Sequence, residues 1–252
     1  ESLDISWVGV PESAGVKIEY SVVGSLDEEF SGSPDTVVYA TQSPFTLSGL
    51  EHSTYYRLHI YPACDSVADG CHYRSYSGQT LHPPVDIPYC ENFDAFENNG
   101  YPNNWRYLSE HSNCNPHITT STYQSEQGSL ELTALHGYSS YAIMPSFNAE
   151  CEEFGSVYVL PYIKCTDTAG VKLLVGYMTD IYDTNSFVVV DTIDFESTTD
   201  WVRYLVVMHN FNKSTMNVAF KMVSNNQYHK FCYIDDLCIE QCLSTNLQIT
   251  DI

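Results

Sequence analysis

Apolar and polar residues alternate along most of this chain. In "VKIEYSVV" Ile18, Tyr20 and Val22 share one face. In "YYRLHIYP" Tyr56, Leu58 and Ile60 point one way, and Tyr55, Arg57 and His59 the other. A period of two is the mark of a half-buried strand, because successive Cβ atoms of an extended chain leave opposite faces. Read this way, the sequence predicts strands over 2–8, 16–23, 36–40, 43–48, 54–63 and 72–81. Further strands are predicted over 88–93, 104–109, 128–134, 138–144, 154–164, 171–178, 186–193, 201–208, 215–223 and 230–240. Gly, Pro, Ser, Asn and Asp punctuate the runs, and no helical repeat persists beyond about two turns. The predicted class is all-β, with sheets packed face to face. The 20 tyrosines suit pleated, half-buried surfaces.

The alternation breaks at "LHPPVDIP", where three prolines stiffen and extend the backbone. This linker divides the chain into a domain over 1–83 and a larger one over 84–242. Six strands fit a small sandwich in the first; about ten fit a two-sheet jelly roll in the second. The last ten residues, "LSTNLQITDI", alternate again, with Leu247 and Ile249 on one face. They read as the first strand of a following domain, whereas "ESLDISW" at the start reads as a second strand. An N-terminal domain short of its first strand presents an open sheet edge. Residues 243–252 are expected to fill such an edge in a neighbouring molecule by β-augmentation, giving head-to-tail self-association.

Two resemblances follow from particular residues. Leu50 followed six positions later by Tyr56 is the spacing of a tyrosine corner, in which the phenol ties back to the backbone before its strand. With Trp7 and Tyr20, this makes residues 1–83 resemble a fibronectin type III domain lacking strand A. In the second domain "YCENFDAFENNGYPNNW", "VKLLVGYMTDIYDTNSFVVVDTI" and "FCYIDDLCIE" together resemble the cleaved-adhesin or MAM-like jelly-roll domains of secreted Bacteroidetes proteins. Those domains alternate with fibronectin type III repeats. The resemblance implies an extracellular or cell-surface location and a part in adhesion.

Charge narrows the partners. Ten Lys+Arg against 32 Asp+Glu leave a formal charge of −22. Such a surface repels nucleic-acid phosphates and anionic membranes, and suits divalent cations or a basic protein. No apolar run reaches the roughly 18–20 residues of a membrane-spanning helix, so direct membrane insertion is not expected. Nine cysteines, none in paired CxxC knuckles, point to disulfides in an oxidising compartment rather than to zinc. Cys64 and Cys71 flank the turn-rich "DSVADG" and are expected to clamp a hairpin, contributing about 2–3 kcal/mol. Nine is odd, and Cys242, just beyond the last predicted strand, is the expected leftover thiol.

Catalytic signatures are missing: no HExxH, GxSxG, GxxxxGK[ST] or GxGxxG occurs. A Cys–His pair would need a low-pKa thiolate, and a glycosidase a carboxylate pair, which 32 acids supply without fixing any separation. The better acidic constellation lies at the two ends of the second domain. First and last strands of a jelly roll commonly lie side by side, which would bring Glu91 and Asp94 near Asp235 and Asp236. Converging carboxylates repel unless a cation holds them, and Ca²⁺ takes six to eight oxygens in flexible geometry. The adhesin resemblance points to the same acids as a structural Ca²⁺ site. The same pairing sets Cys90 opposite the region of Cys238, with Cys232 and Cys242 as competitors for the bridge. Asp-Ser/Thr followed by a small or apolar residue occurs at Asp35, Asp65, Asp167 and Asp191, a pattern resembling O-glycosylation sites of secreted Bacteroidetes proteins. Thr36, Ser66, Thr168 and Thr192 are the candidate acceptors, and "NKS" at Asn212 is an N-glycosylation sequon.

The expectation is a non-enzymatic extracellular module of a larger secreted or surface protein, binding a glycan or a protein ligand. The alternative is a purely structural spacer of a secreted enzyme or protease.

Overall fold

The computed structural model describes residues 2–8, 15–25, 27–29, 32–62, 73–102, 104–148, 155–166, 170–195, 200–213, 215–225 and 228–241. Cys64, Ser66, Cys71, Thr168, Cys242 and the 243–252 segment lie outside the described residues. The chain divides into two compact units, Glu1–Pro83 and Pro84–Ile252.

The first unit places a two-stranded sheet over a four-stranded one. Strands β1 (Ser2–Ile5) and β4 (Phe45–Ser48) pair antiparallel. The facing sheet runs β3 (Thr36–Ala40), β2 (Val16–Val23), β5 (Tyr55–Pro62), β6 (Arg74–Gln79). Ile5, Leu47, Val16, Ile18, Tyr56 and Leu58 meet in one apolar core, each contributing a stripe set by the period of two. The Tyr56 hydroxyl accepts a hydrogen bond from the Glu51 backbone N–H at 3.0 Å, tying the phenol back across the turn before β5. The opposite face of β5 departs from a simple solvent-facing stripe. Arg57 and His59 are buried there, because residues 28–29 lie across them. The Arg57 Nε donates to the Glu28 carbonyl at 2.8 Å, and the His59 ring meets Glu29 at 3.1 Å.

The second unit is a sandwich of a seven-stranded and a five-stranded sheet. Its strands in chain order are β7 (Tyr89–Glu91), β8 (Arg106–Ser109), β9 (His117–Thr119), β10 (Ser129–Ala134), β11 (Ser140–Ile143) and β12 (Gly155–Cys165). They continue with β13 (Val171–Met178), β14 (Phe187–Asp194), β15 (Val202–Arg203), β16 (Val206–Phe211), β17 (Asn217–Ser224) and β18 (Lys230–Gln241). The larger sheet runs β15-β12-β18-β10-β9, with β16 also on β12 and β7 on β18; the smaller runs β14-β13-β17-β11-β8. The inner faces interdigitate Leu130, Leu132, Val157, Val159, Ile234, Leu237 and Ile239 with Leu173, Val175, Val218 and Phe220. A single 3-10 turn, Thr184–Ser186, interrupts the strands among the described residues.

Three features differ from the expected strand list. The three-residue β9 is too short to leave a periodic signal of its own. The stretch predicted as one strand over 201–208 divides into β15 and β16. Opposite the division lies Pro161 of β12, which has no N–H to donate to a neighbouring strand; the Tyr204 N–H instead donates to the Pro161 carbonyl at 2.9 Å. On β18 the register against β12 jumps between Leu160 and Tyr162, which face Cys238 and Asp235. Three steps on β18 oppose two on β12. Asp236 takes up the difference in a left-handed conformation (φ 42°), as in a β-bulge. The bulge keeps Leu237 and Ile239 in phase with Cys232 and Ile234 on the core side.

Candidate functional site

The bulge decides where the acids go. Asp235 stays on the outer face of the sheet yet is completely buried, because residues 124–125 pass over it. Its Oδ2 accepts the backbone N–H groups of Gln124 (2.6 Å) and Ser125 (3.1 Å), and its Oδ1 accepts that of Asp236 (2.7 Å). Burial, with Asp236 alongside, outweighs these bonds and pushes the Asp235 carboxyl up to about 6. Asp236 accepts the Ser125 hydroxyl at 2.9 Å. Asp94 holds the far end of the same crossing segment: its Oδ1 accepts the Gly128 N–H at 3.3 Å and its Oδ2 the Asn92 amide at 2.7 Å. Only glycine fits at 128, since a Cβ there would lie 2.9 Å from the Phe93 carbonyl oxygen. Glu91 accepts the Phe93 N–H and the Tyr89 hydroxyl, both at 3.1 Å.

The four acids therefore fall into two groups that share Asp236. Glu91 and Asp236 line one cavity of about 310 Å³ with Asn92 and the Cys90–Cys238 disulfide. Asp94, Asp235 and Asp236 grip the 124–128 segment. Among the described residues no three His, Cys, Asp or Glu side chains converge at metal-binding distance. In kind, the donors suit a hard cation: two carboxylates and an amide oxygen, beside a buried carboxylate that a positive charge would favour. In number they fall short of a calcium shell, which carbonyl oxygens or water would have to complete.

Cys90 and Cys238 face each other directly across β7 and β18 and form a disulfide spanning 148 positions. Cys232 lies on the core side of β18 opposite Cys165 of β12, and the two are cross-strand partners. The thiols of Cys114 and Cys232 are pushed up by burial, away from the range of a reactive thiolate. Thr36 and Thr192 lie exposed, on β3 and β14 respectively. Asn212 follows β16 and donates its N–H to the Met216 sulfur at 3.3 Å.

A second site, which the sequence did not single out, lies on the outer face of the larger sheet. Antiparallel register sets His117 of β9 opposite Glu131 of β10, Glu131 opposite Tyr233 of β18, and Tyr233 opposite Lys164 of β12. One row down, Thr133 faces Phe231. The His117 Nε2 sits 3.7 Å from the Glu131 carboxylate, and Tyr233 is its cross-strand neighbour on the other side. Burial nevertheless raises the Glu131 carboxyl above the usual range. An open groove of about 420 Å³ runs over this row, lined by His117, Glu131, Thr133, His229 and Phe231 and by Ser112, Asn113 and Asn115 of the segment before β9. The residues come from three separate stretches, 112–117, 131–133 and 229–231. The one trace of them in the sequence is a polar residue at each outward position of β10.

No family model and no curated protein matches the chain. Solved structures with a similar course include the K2 cleaved adhesin domain of Lys-gingipain, at 14% identity and a TM-score of 0.47, covering 62% of this chain and 100% of that one. The K1 cleaved adhesin domain of Lys-gingipain from Porphyromonas gingivalis gives 15% and 0.47, over 62% of this chain and 99% of that one. The CBM22-1 xylan-binding domain of Paenibacillus barcinonensis Xyn10C gives 15% and 0.40, over 63% and 96%. At these scores the likeness assigns neither family nor ligand.

Proposed function

We propose that the second unit is a non-enzymatic glycan-binding module that serves adhesion in a larger extracellular or surface protein, with the first unit as a fibronectin-like spacer. The groove on the outer sheet face carries this reading. It combines amide, hydroxyl and imidazole groups with the phenyl ring of Phe231, and it rests on a hydrogen-bonded sheet that fixes their positions. Among its lining residues Glu131 is the one carboxylate. Glycoside hydrolysis needs two, about 5–5.5 Å apart for retention or 6.5–9.5 Å for inversion, so the groove suits holding a sugar rather than cutting one. The cavity beside the disulfide has two carboxylates but no aromatic lining, and suits a cation instead. The spacer reading of the first unit is supported by its two-over-four strand arrangement and by the bond between Tyr56 and Glu51.

Screening the full chain on a glycan array tests the proposal. Saturable binding to at least one glycan class is expected; a uniformly blank array would leave the structural-spacer reading in its place.

A calcium ion belongs to the same proposal. Glu91 and Asp236, with Asp94 and Asp235 gripping the crossing segment, would hold it as a staple between the two ends of the unit. A ligand that binds only the native state raises stability, by about 2.7 kcal/mol at a hundredfold excess over Kd. Melting in millimolar Ca²⁺ is therefore expected several degrees above melting in chelator. Equal midpoints, with no metal found by elemental analysis, would remove calcium from the proposal.

A further inference from the structure

Resting on the carbohydrate reading, we infer that the groove takes a neutral hexopyranose, its flat C–H face on the Phe231–His229 ring stack and a pair of its hydroxyls on the Glu131 carboxylate. Three observations converge on this class of ligand.

The first is the aromatic pair. The Phe231 and His229 rings are stacked, parallel to within 11° with centroids 6.2 Å apart. An open ring face of such a stack packs on the axial C–H groups of a pyranose, as rings do on other flat apolar surfaces. The second is the polar lining. Ser112, Asn113, Asn115 and Thr133 bring hydroxyls and amides, which both donate and accept, as sugar hydroxyls require. Glu131 adds an acceptor-only carboxylate, able to take two vicinal O–H donors through its two oxygens. It is flanked by its cross-strand neighbours, His117 on β9 and Tyr233 on β18. The third is charge. The groove's own carboxylate, in a chain of formal charge −22, repels uronic, sialylated and sulfated glycans.

The topology also disfavours a peptide. Strand β10 lies between β9 and β18, so its backbone N–H and C=O groups are committed to the ladders on both sides. A ligand lying over it meets side chains, whereas an extended peptide binds mainly through main-chain bonds at a sheet edge.

The test uses the full chain in affinity electrophoresis. Neutral polymers (mannan, galactan and β-glucan) are compared with acidic ones (polygalacturonate and chondroitin sulfate), followed by calorimetry with oligomers of any polymer bound. Retardation by at least one neutral polymer and by neither acidic one is expected. Phe231→Ala and Glu131→Gln should each weaken binding about tenfold or more, the loss of one ring contact or one charge-assisted hydrogen-bond pair. Both positions lie on the outer face, and unchanged melting curves would show that each variant keeps its fold. Binding confined to acidic polymers, or binding that both variants leave intact, would overturn the inference while sparing the glycan-binding reading. Binding to no polymer in a screen that also leaves the glycan array blank would overturn both.

Discussion

Replacing both Cys90 and Cys238 with alanine is expected to lower the melting temperature of the second unit by about 10–20 °C. Closing a loop across 148 positions removes chain entropy from the unfolded state worth about 5 kcal/mol. For a unit of this size each kcal/mol shifts the midpoint by roughly 2–4 °C. The native structure adds a local reason. Strand β7 is three residues long and meets β18 only at Tyr89–Ile239, Cys90–Cys238 and Glu91–Leu237. The disulfide lies in the middle of that ladder. Without it, β7 should open ahead of the rest of the unit and carry Glu91 away from Asp236. Cys90 is exposed, so a reductant reaches the bond and should reproduce the effect in the unaltered chain. Melting with and without reductant, with amide exchange followed at residues 89–91, decides the matter. Equal midpoints and unchanged protection of β7 would show that the bond adds nothing.

Asp235 is the second position at which one side chain controls much of the unit. Asp235→Ala should cost about 3 kcal/mol or more, since it leaves the N–H groups of Gln124, Ser125 and Asp236 without their acceptor beneath a segment that excludes water. The unaltered residue should also make stability depend on pH. Its carboxyl is raised from 3.8 in the unfolded chain to about 6 in the native state. Between those values the native state holds the proton more tightly than the unfolded one. The stabilisation from protonation is thus complete below about pH 4 and is lost as pH rises through 6, by about 1–3 kcal/mol. In chelator, stability at pH 4.5 should therefore exceed that at pH 7 by more in the unaltered chain than in Asp235→Asn, which cannot ionise there. Millimolar Ca²⁺ should reduce this slope, because a cation favours the ionised form. Urea denaturation across pH 4–7 measures all three. A slope identical in the Asn variant would rule out Asp235 as its source.

The strands were legible because alternation is a local property. The direction of each Cβ follows from the extended backbone alone, so Ile18 and Val16, or Tyr56 and Leu58, declare their shared face without knowledge of any partner. The tie between Tyr56 and Glu51 is local as well, spanning five positions. Counting back along two antiparallel strands sets Cys90 across from Cys238 once those strands are taken as neighbours, and the bond between them follows from that register.

Beyond alternation, the outcome depended on contacts between distant residues. Arg57 and His59 alternate as an outward stripe, and the sequence by itself determined that much. Residues 28–29 bury them, a covering that no periodicity encodes. Similarly, "YIDDLCI" carries a shift of phase, because Ile234 and Leu237 cannot share a face at strict period two. Only pairing with β12 settled that Asp236 absorbs the shift, leaving Asp235 under the crossing segment and Asp236 in the cavity with Glu91. The groove is the extreme case. His117, Glu131 and Phe231 each read as an ordinary outward position on its own strand. They form one surface because main-chain hydrogen bonding sets β9, β10 and β18 side by side in register. Sequence determined which residues face outward, since that is fixed within a strand; tertiary structure decided which of them meet, since strand order is fixed by contacts across the whole chain.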